Sequence, residues 1–332
     1  MLDHGAHAWP EFRGARLFIT GAGGFVGSWL LESLLHADRA HRLGIRVTAL
    51  VRDPARFSGR LPHLAAAPAV TLQHGDVKQE IAPSEEFTHI VHCASAASPE
   101  ENAASPNDVV DLIEVGTSHV LDLAREHSGT RFLQMSSGSV YGSQPPAMEK
   151  MPESHAGEAD PTVPVERFGA AKRAAERFGA SAAGDGVHFV VARAFGLVGP
   201  RLPLDGQFAI GNFLRDAMAG RPVAVHGDGT PVRSWLYAAD LAAWCWTVLA
   251  RGEAGTSYNV GSDQAVSIGQ AALRVASLAK PPLPVTIART VTSTPQASRF
   301  VPNIARAREK LGLDVWIPLD DAIGRTWDWV RQ

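Results

Sequence analysis

A turn with three evenly spaced glycines constrains this chain more than any other feature. The apolar residues 17–19 predict a short buried strand, Gly21, Gly24 and Gly27 follow, and residues 28–35 have helical periodicity. Glycine permits a tight turn, lets the backbone approach a pyrophosphate and allows the helix to pack closely on the strand. The free N–H groups at the start of that helix attract phosphate. The segment therefore predicts a dinucleotide-binding site.

Apolar and amphipathic segments then alternate as far as residue 195. This alternation predicts parallel strands joined by helices that cover both faces of one sheet. From residue 196 onward the segments are short and rich in glycine and proline. We predict an α/β fold, with a Rossmann-type doubly wound parallel sheet in residues 13–195 and a smaller C-terminal substrate-binding lobe in residues 196–332. Residues 235–260 are expected to return to the first domain, and residues 1–14 to form a loosely held arm.

The predicted elements follow from the same periodicities. Later strands are expected at residues 45–51, 70–77, 89–94, 131–137 and 187–193, and amphipathic helices at 109–126 and 166–180. We interpret His92, in the fourth predicted strand, as a core or loop histidine rather than a catalyst.

Composition excludes several classes of protein. The net charge of −3 gives no indication of a nucleic-acid or anionic membrane partner. Cys93 and Cys245 are too few for a disulfide framework or a thiolate metal site, and the histidines are scattered, so no metal is expected. The N-terminus lacks the pattern of a signal peptide, and no apolar run reaches the roughly 18 residues of a membrane helix. We therefore expect a cytoplasmic protein.

Arg52 bears on the choice of cofactor. Sites that prefer NAD usually end the second strand with an acidic residue that binds the ribose 2′-hydroxyl, but Val51 stands there. The guanidinium of Arg52 can pair with a 2′-phosphate, whereas Asp53 precedes a proline and is expected in a turn. We predict NADP(H), with NAD as the alternative. In the alternative reading, Arg52 is a solvated surface charge.

Two further motifs carry a resemblance to a known family. Residues 136–142 read Ser-Ser-Gly-Ser-Val-Tyr-Gly, and residues 167–176 contain Phe-Gly-Ala-Ala-Lys followed by a glutamate. With the glycine turn, they resemble the extended branch of the short-chain dehydrogenase/reductase superfamily, which modifies nucleotide-linked sugars. The resemblance covers almost the whole chain.

The resemblance implies roles for particular residues. Ser137 would hydrogen-bond the reacting oxygen, and Lys172 would hold the nicotinamide ribose and lower the pKa of a neighbouring phenol. The cofactor site would also include Asp76, which takes the adenine amino group. The other implied cofactor contacts are Phe25, Val26 and Val77, and the implied substrate contacts are Ser139, Tyr141 and Arg233, with Arg233 on the nucleotide diphosphate and Arg299 near phosphate or base.

Phe168 stands where the family has its catalytic tyrosine. Hydride transfer to or from a sugar carbon requires a proton to move at its oxygen, and a phenol near a lysine serves this purpose. Phenylalanine has no proton to give. Three explanations remain open. The chain is an engineered tyrosine-to-phenylalanine variant, or a natural enzyme that uses Tyr141, Ser137 or water as the acid, or a protein that kept binding and lost catalysis.

Gly138 and Ser139 limit the types of reaction that the chain is expected to catalyse. In the resembled family, the 4,6-dehydratases have Asp-Glu or Ser-Glu at these two positions, with carboxylates that act at C5 and C6. A dehydratase is therefore disfavoured, and by the same comparison so is a nucleotide-sugar decarboxylase. Gly196 replaces a family asparagine that usually touches substrate, and a second family asparagine is missing near Ile113. From Gly196 we expect a substrate pose that differs from that of typical relatives, and the absence of the second asparagine removes the support that this residue normally gives the lysine in the family.

The preferred function is an NADPH-dependent reductase that converts the C4 carbonyl of a nucleotide-linked 4-keto-6-deoxy sugar to a hydroxyl, in deoxysugar and surface-polysaccharide biosynthesis. One alternative is a C4 epimerase of a nucleotide sugar with tightly bound NAD(P). The other is a catalytically silent protein that binds NADP(H) or a sugar nucleotide. A homodimer formed through the helices at 109–126 and 166–180 is also expected.

Overall fold

A seven-stranded parallel sheet lies at the centre of the molecule. The computed structural model describes residues 4, 8–82, 85–95, 106–127, 129–157, 159–164, 166–206, 208–288 and 298–332. The strands are β1 Arg16–Thr20, β2 Arg46–Val51, β3 Val70–His74, β4 His89–His92, β5 Arg131–Ser137, β6 His188–Ala194, β7 Leu197–Val198, β8 Val223–Val225, β9 Val232–Arg233, β10 Leu236–Tyr237, β11 Ser257–Val260, β12 Val266–Ser267, β13 Val285–Ile287 and β14 Arg299–Phe300. In the large sheet their order is β11-β6-β5-β4-β1-β2-β3. The predicted doubly wound α/β fold is confirmed.

Helices cover both faces of this sheet. They are α1 Phe25–His41, α2 Pro54–Arg60, α3 Pro62–Ala65, α4 Pro106–Arg125, α5 Arg167–Ala182, α6 Ala209–Met218, α7 Ala238–Arg251, α8 Ile268–Ala276, α9 Ala305–Leu311 and α10 Leu319–Val330. Alternate residues of a strand point to opposite faces. Leu17 and Ile19 accordingly lie in the cluster with α1 and α7, whereas Phe18 lies in the cluster with α4. None of the described helices is long and apolar enough to cross a membrane.

The strand order reverses between β1 and β4. In open parallel sheets, ligands bind in the crevice outside the carboxyl ends of the strands at such a point. The glycine turn leads out of β1 at this edge, and Cys93 N–H donates to the carbonyl of Thr20 across it. The fold therefore places the predicted dinucleotide site at the switch point.

The described residues that follow β6 in the chain form three smaller sheets and further helices. These sheets are the pairs β8–β13 and β7–β10 and the sheet β12-β9-β14, and a separate apolar cluster lies beneath α6, α8 and α10. β11 joins the large sheet beside β6. The domain boundaries given above remain a prediction.

The N-terminal segment differs from the loosely held arm that we expected. Trp9–Phe12 forms a 3-10 helix, and both aromatic side chains are buried. The ring of Phe12 packs edge-on against Trp246 of α7, with 5.4 Å between centroids. Burial of two large aromatic rings stabilises this segment against the core.

Candidate active site

Close backbone contacts require the glycines of the first turn. Gly21 has a φ of +70°, and a Cβ there would lie 2.6 Å from the carbonyl carbon of Cys93. A Cβ on Gly27 would lie 2.2 Å from the carbonyl oxygen of Gly21. Gly24 precedes the first residue of α1, and its N–H donates to the same carbonyl at 3.0 Å. Phe25 and Val26 begin the helix, so its free N–H groups lie at the switch-point edge.

We expect Gly27→Ala to weaken NADH and NADPH binding about 10- to 100-fold, since overpacking costs about 1–3 kcal/mol. The methyl group would push the Gly21 carbonyl and open the turn. Titration of nicotinamide fluorescence measures the effect. The matched control is Gly59→Ala in α2, where a Cβ meets nothing within 4 Å. Equal affinity of the Gly27→Ala variant and the parent would contradict the assigned role of the turn.

The residues that are predicted to bind the adenosine half of the cofactor lie at the ends of β2 and β3. Arg52 is exposed directly after β2. Asp53 caps α2 by accepting the Arg56 N–H at 2.9 Å, so its carboxylate belongs to the expected turn. Asp76 follows β3 and accepts the Lys78 N–H at 2.9 Å, and Val77 is buried beside it. Because the carboxyl ends of parallel strands meet at one edge, the fold brings these residues to the side where the glycine turn lies.

Ser137 and Lys172 lie on neighbouring elements. Ser137 ends β5; its Oγ accepts the Ser139 N–H and donates to Ser139 Oγ, both at 3.1 Å. Lys172 lies on α5 one helical turn after Phe168, and its Nζ is 5.8 Å from the Phe168 ring centroid. The Lys172 side chain is buried, and Nζ donates to the carbonyl of Met135 in β5 at 2.9 Å.

Burial changes the acid–base properties of this lysine. Desolvation lowers the pKa of Lys172 to about 8 from an ordinary value of 10.5, because the charged form loses water. The Glu176 carboxylate favours the ammonium, whereas burial raises the pKa of the nearby Cys93 thiol to about 12, so this thiol carries no charge. At neutral pH the ammonium form predominates.

Tyr141 lies inside a hydrogen-bond network that the sequence did not reveal. Its side chain is 1% exposed; its hydroxyl donates to Asn259 Oδ1 and accepts from Arg193, both at 2.8 Å. Arg193 in turn forms a bidentate ion pair with Glu176, and Ser136 donates to the same carboxylate. Burial also raises the pKa of the Tyr141 phenol. These hydrogen bonds hold the Tyr141 phenol within the protein, and its contact with sugar stays a prediction.

Aromatic rings close the space above Gly138. A Cβ on this residue would lie 2.8 Å from both the Phe195 and the Phe300 ring. A Cβ on Gly196 would lie 2.2 Å from the carbonyl oxygen of Ser234, so the family asparagine does not fit this backbone. These contacts therefore leave no room at Gly138 for a carboxylate side chain, and none at Gly196 for the asparagine of the family.

Arg233 and Arg299 lie on adjacent strands, β9 and β14, which pair in parallel. Arg233 is half-buried and donates to the carbonyls of Val232 at 2.8 Å and Ser298 at 3.1 Å. Arg299 Nε donates to the carbonyl of Glu149 at 3.3 Å. The two guanidiniums therefore belong to one small sheet, and their contact with a diphosphate stays a prediction.

Comparison with known proteins decides the family. Residues 17–261 match the NAD dependent epimerase/dehydratase family. The chain belongs to this family. Over 321 residues it is 29% identical to UDP-glucuronic acid decarboxylase 1 of Xenopus tropicalis, covering 96% of this chain and 72% of that protein.

Solved structures have the same fold. UDP-glucose 4-epimerase from Thermotoga maritima superposes with a TM-score of 0.80 at 21% identity, covering 95% of this chain and 98% of that one. A tyrosine-to-phenylalanine mutant of UDP-glucuronic acid 4-epimerase from Bacillus cereus, with NAD and UDP-4-deoxy-4-fluoro-glucuronic acid, gives 0.79 at 20% identity, covering 96% and 99%.

Membership of the epimerase/dehydratase family confirms the predicted superfamily and an NAD-dependent enzyme that acts on a sugar nucleotide. The identity of the sugar, the type of reaction and the preference for NADP stay predictions.

Proposed function

We propose that this enzyme reduces the C4 carbonyl of a nucleotide-linked 4-keto-6-deoxy sugar. The observation that carries the proposal is the surroundings of Ser137. The two residues after it, Gly138 and Ser139, have no carboxyl group, and the rings of Phe195 and Phe300 leave no room for one at Gly138. A simple carbonyl reduction needs only a hydride and a proton at one carbon–oxygen bond.

Dehydration and decarboxylation need further acid–base groups in addition to those that serve hydride transfer at C4. In the family, carboxylates beside the reacting hydroxyl serve chemistry beyond C4. Among the described acidic residues around Tyr141, Glu176 is held by Arg193, and Glu153 Oε1 accepts the Asn259 N–H at 3.0 Å. Both acidic groups are therefore committed to the structure. This supports reduction over the decarboxylation that the Xenopus relative's name describes.

The residues present fit a nicotinamide dinucleotide, because the close backbone packing at Gly21 and Gly27 holds the N-terminus of α1, with its free N–H groups, at the switch-point edge of the sheet. When bound, this cofactor supplies the hydride. Ser137 donates a hydrogen bond to the carbonyl oxygen, and the Lys172 ammonium stabilises negative charge that develops there. Phe168 contributes an apolar surface that excludes water but has no proton to donate. Ser137 or a water molecule must therefore deliver the proton in the chain as it stands.

The same residues also serve the two alternatives. A C4 epimerase with tightly bound NAD(P) uses Ser137 and Lys172 without net consumption of cofactor. A silent binding protein is favoured by one observation, Phe168 in place of the tyrosine. Both alternatives predict that added NADPH is not consumed.

A substrate panel tests the proposal. NADPH and NADH absorbance is followed with 4-keto-6-deoxy sugars linked to UDP, GDP or dTDP, and products of UDP-glucuronic acid and UDP-glucose are analysed in parallel. Oxidation of NADPH with stoichiometric formation of a 6-deoxy sugar is expected. Release of carbon dioxide from UDP-glucuronic acid, or epimerisation of UDP-glucose, would replace reduction by the corresponding activity.

Arg52 supports a preference for NADP(H), and Arg52→Ala tests it. We expect the affinity for NADPH to fall about tenfold while that for NADH stays constant, because only NADPH carries the 2′-phosphate. The measurement is the ratio of the two dissociation constants. Arg56→Ala, an exposed arginine on the next helix, is the control. A ratio that does not change would show that Arg52 is a solvated surface charge.

We also propose a homodimer through α4 and α5. These helices pack side by side, and Val115 and Phe178 each expose 39% of their surface. Light scattering during gel filtration determines the mass in solution.

A further inference from the structure

A group of buried polar atoms lies between α4 and the sheet, beneath the candidate active site. His92 Nε2, both amide atoms of Gln134 and Thr117 Oγ1 have no hydrogen-bond partner among the described residues. Their residues are 1%, 0% and 0% exposed. Buried polar groups are nearly always paired with protein or ordered water, and leaving them unpaired is unfavourable. Four such atoms in one place therefore require an explanation.

Strand register places His92 and Gln134 side by side. Thr20 is the partner of His92 in β1, and Gln134 is its partner in β5. Partners in parallel strands point to the same face. Thr20 Oγ1 contacts His92 Nδ1 at 2.7 Å, which leaves Nε2 on the side towards Gln134. The three side chains form a polar row across the sheet.

Thr117 covers this row from α4. Two residues earlier in the strands, Phe18, Ile90 and Phe132 form an apolar layer with Val120 and Leu121 of α4. Because α4 runs antiparallel to the strands, its residues one turn earlier lie over the next layer of the sheet. Thr117 is that residue, and it is buried.

Lys172 adjoins the polar row from α5. Its charge, with burial as the larger cause, contributes to lowering the pKa of His92 to about 3, so this imidazole is neutral and can accept or donate a hydrogen bond. The ammonium of Lys172 has three N–H groups, and the Met135 carbonyl takes one of them. The titratable groups around it are His92 at the end of β4, Cys93 directly after it, and Glu176 on the same helix as Lys172, where Arg193 neutralises the carboxylate.

We propose that Thr117, His92 and Gln134 form a binding site for ordered water beneath Lys172, and that this water hydrates the buried ammonium. A buried water typically makes about three hydrogen bonds, and these residues supply both donors and acceptors for them. Water at this place compensates the desolvation of Lys172 without contacting substrate. Thr117, His92 and Gln134 are thus positioning residues, and the proposal holds for any substrate of the enzyme.

Lysine NMR of the intact protein tests the proposal without turnover. The chain has five lysines, so ε-carbon labelling gives few signals, and Lys172→Met assigns the one of interest. Thr117→Val removes the hydroxyl at nearly constant shape. We expect the pKa of Lys172 to fall by about one unit, because loss of hydration disfavours the charged form and a hydrogen bond to a charged group is worth about that much.

Two control variants test whether the Thr117 hydroxyl causes the change in the pKa of Lys172. Thr117→Ser retains it and should leave the pKa at the parent value. Thr247→Val makes the same change at a buried threonine of α7, on the opposite face of the sheet, and should also have no effect. An unchanged pKa in Thr117→Val would overturn the proposal. So would a crystal structure in which His92 and Gln134 bond directly to each other with no water between them and Thr117.

Discussion

Phe168→Tyr is expected to raise the rate of NADPH oxidation with a 4-keto-6-deoxy sugar nucleotide about 10²- to 10⁴-fold, the usual contribution of general acid–base catalysis. Position 168 lies one helical turn before Lys172 on the same face of α5. A phenol at this position supplies a proton donor, and the nearby Lys172 ammonium lowers the pKa of the phenol because it favours the ionised form. Steady-state kcat at saturating substrate measures the effect.

Phe178→Tyr is the matched control for this gain. It introduces the same hydroxyl on the same helix at a residue that is 39% exposed. Because Phe178 also lies on the proposed dimer surface, the mass of the variant is checked by light scattering, and at the parent mass its rate should equal that of the parent. If Phe168→Tyr and the parent turn over equally, another group already donates the proton, and Ser137 becomes the first candidate. If neither consumes NADPH with any member of the panel, the reductase proposal fails.

Arg193→Met is expected to destabilise the fold by about 3–5 kcal/mol, because it leaves the buried Glu176 carboxylate without its cation. The two side chains are 8% exposed and contact at 2.6 Å. The substitution also removes a hydrogen bond from Tyr141. The midpoint of urea unfolding, followed by circular dichroism, measures the loss.

Arg125→Met provides the comparison for a surface pair. Arg125 contacts Asp122 at 2.7 Å and Asp185 at 2.9 Å, but the three side chains are 34%, 59% and 52% exposed. Pairs of this kind contribute about 0–1 kcal/mol. The double variant Arg193→Met with Glu176→Leu should recover part of the stability, since no unpaired charge remains. Equal losses in Arg193→Met and Arg125→Met would contradict the structural role of the buried pair.

Local patterns predicted the central sheet well. The expected helices at 109–126 and 166–180 correspond to Pro106–Arg125 and Arg167–Ala182, and the expected strand at 187–193 to His188–Ala194. Periodicity of two or 3.6 residues is a property of neighbouring residues, so it is visible in the sequence. The N-terminal segment was mispredicted because Trp9 and Phe12 are buried by partners far along the chain, including Trp246.

The glycine turn and the order of strands and helices could be read from the sequence, because they depend on short spacings and on the one-edge geometry of parallel strands, whereas the pairing of Ser137 with Lys172 was implied by the family resemblance. Long-range packing sets the surroundings of Tyr141, which depend on Arg193 and Asn259. It also decided the aromatic closure above Gly138 by Phe195 and Phe300. These contacts join residues that are distant in the chain, and no local pattern records which side chains long-range packing brings together.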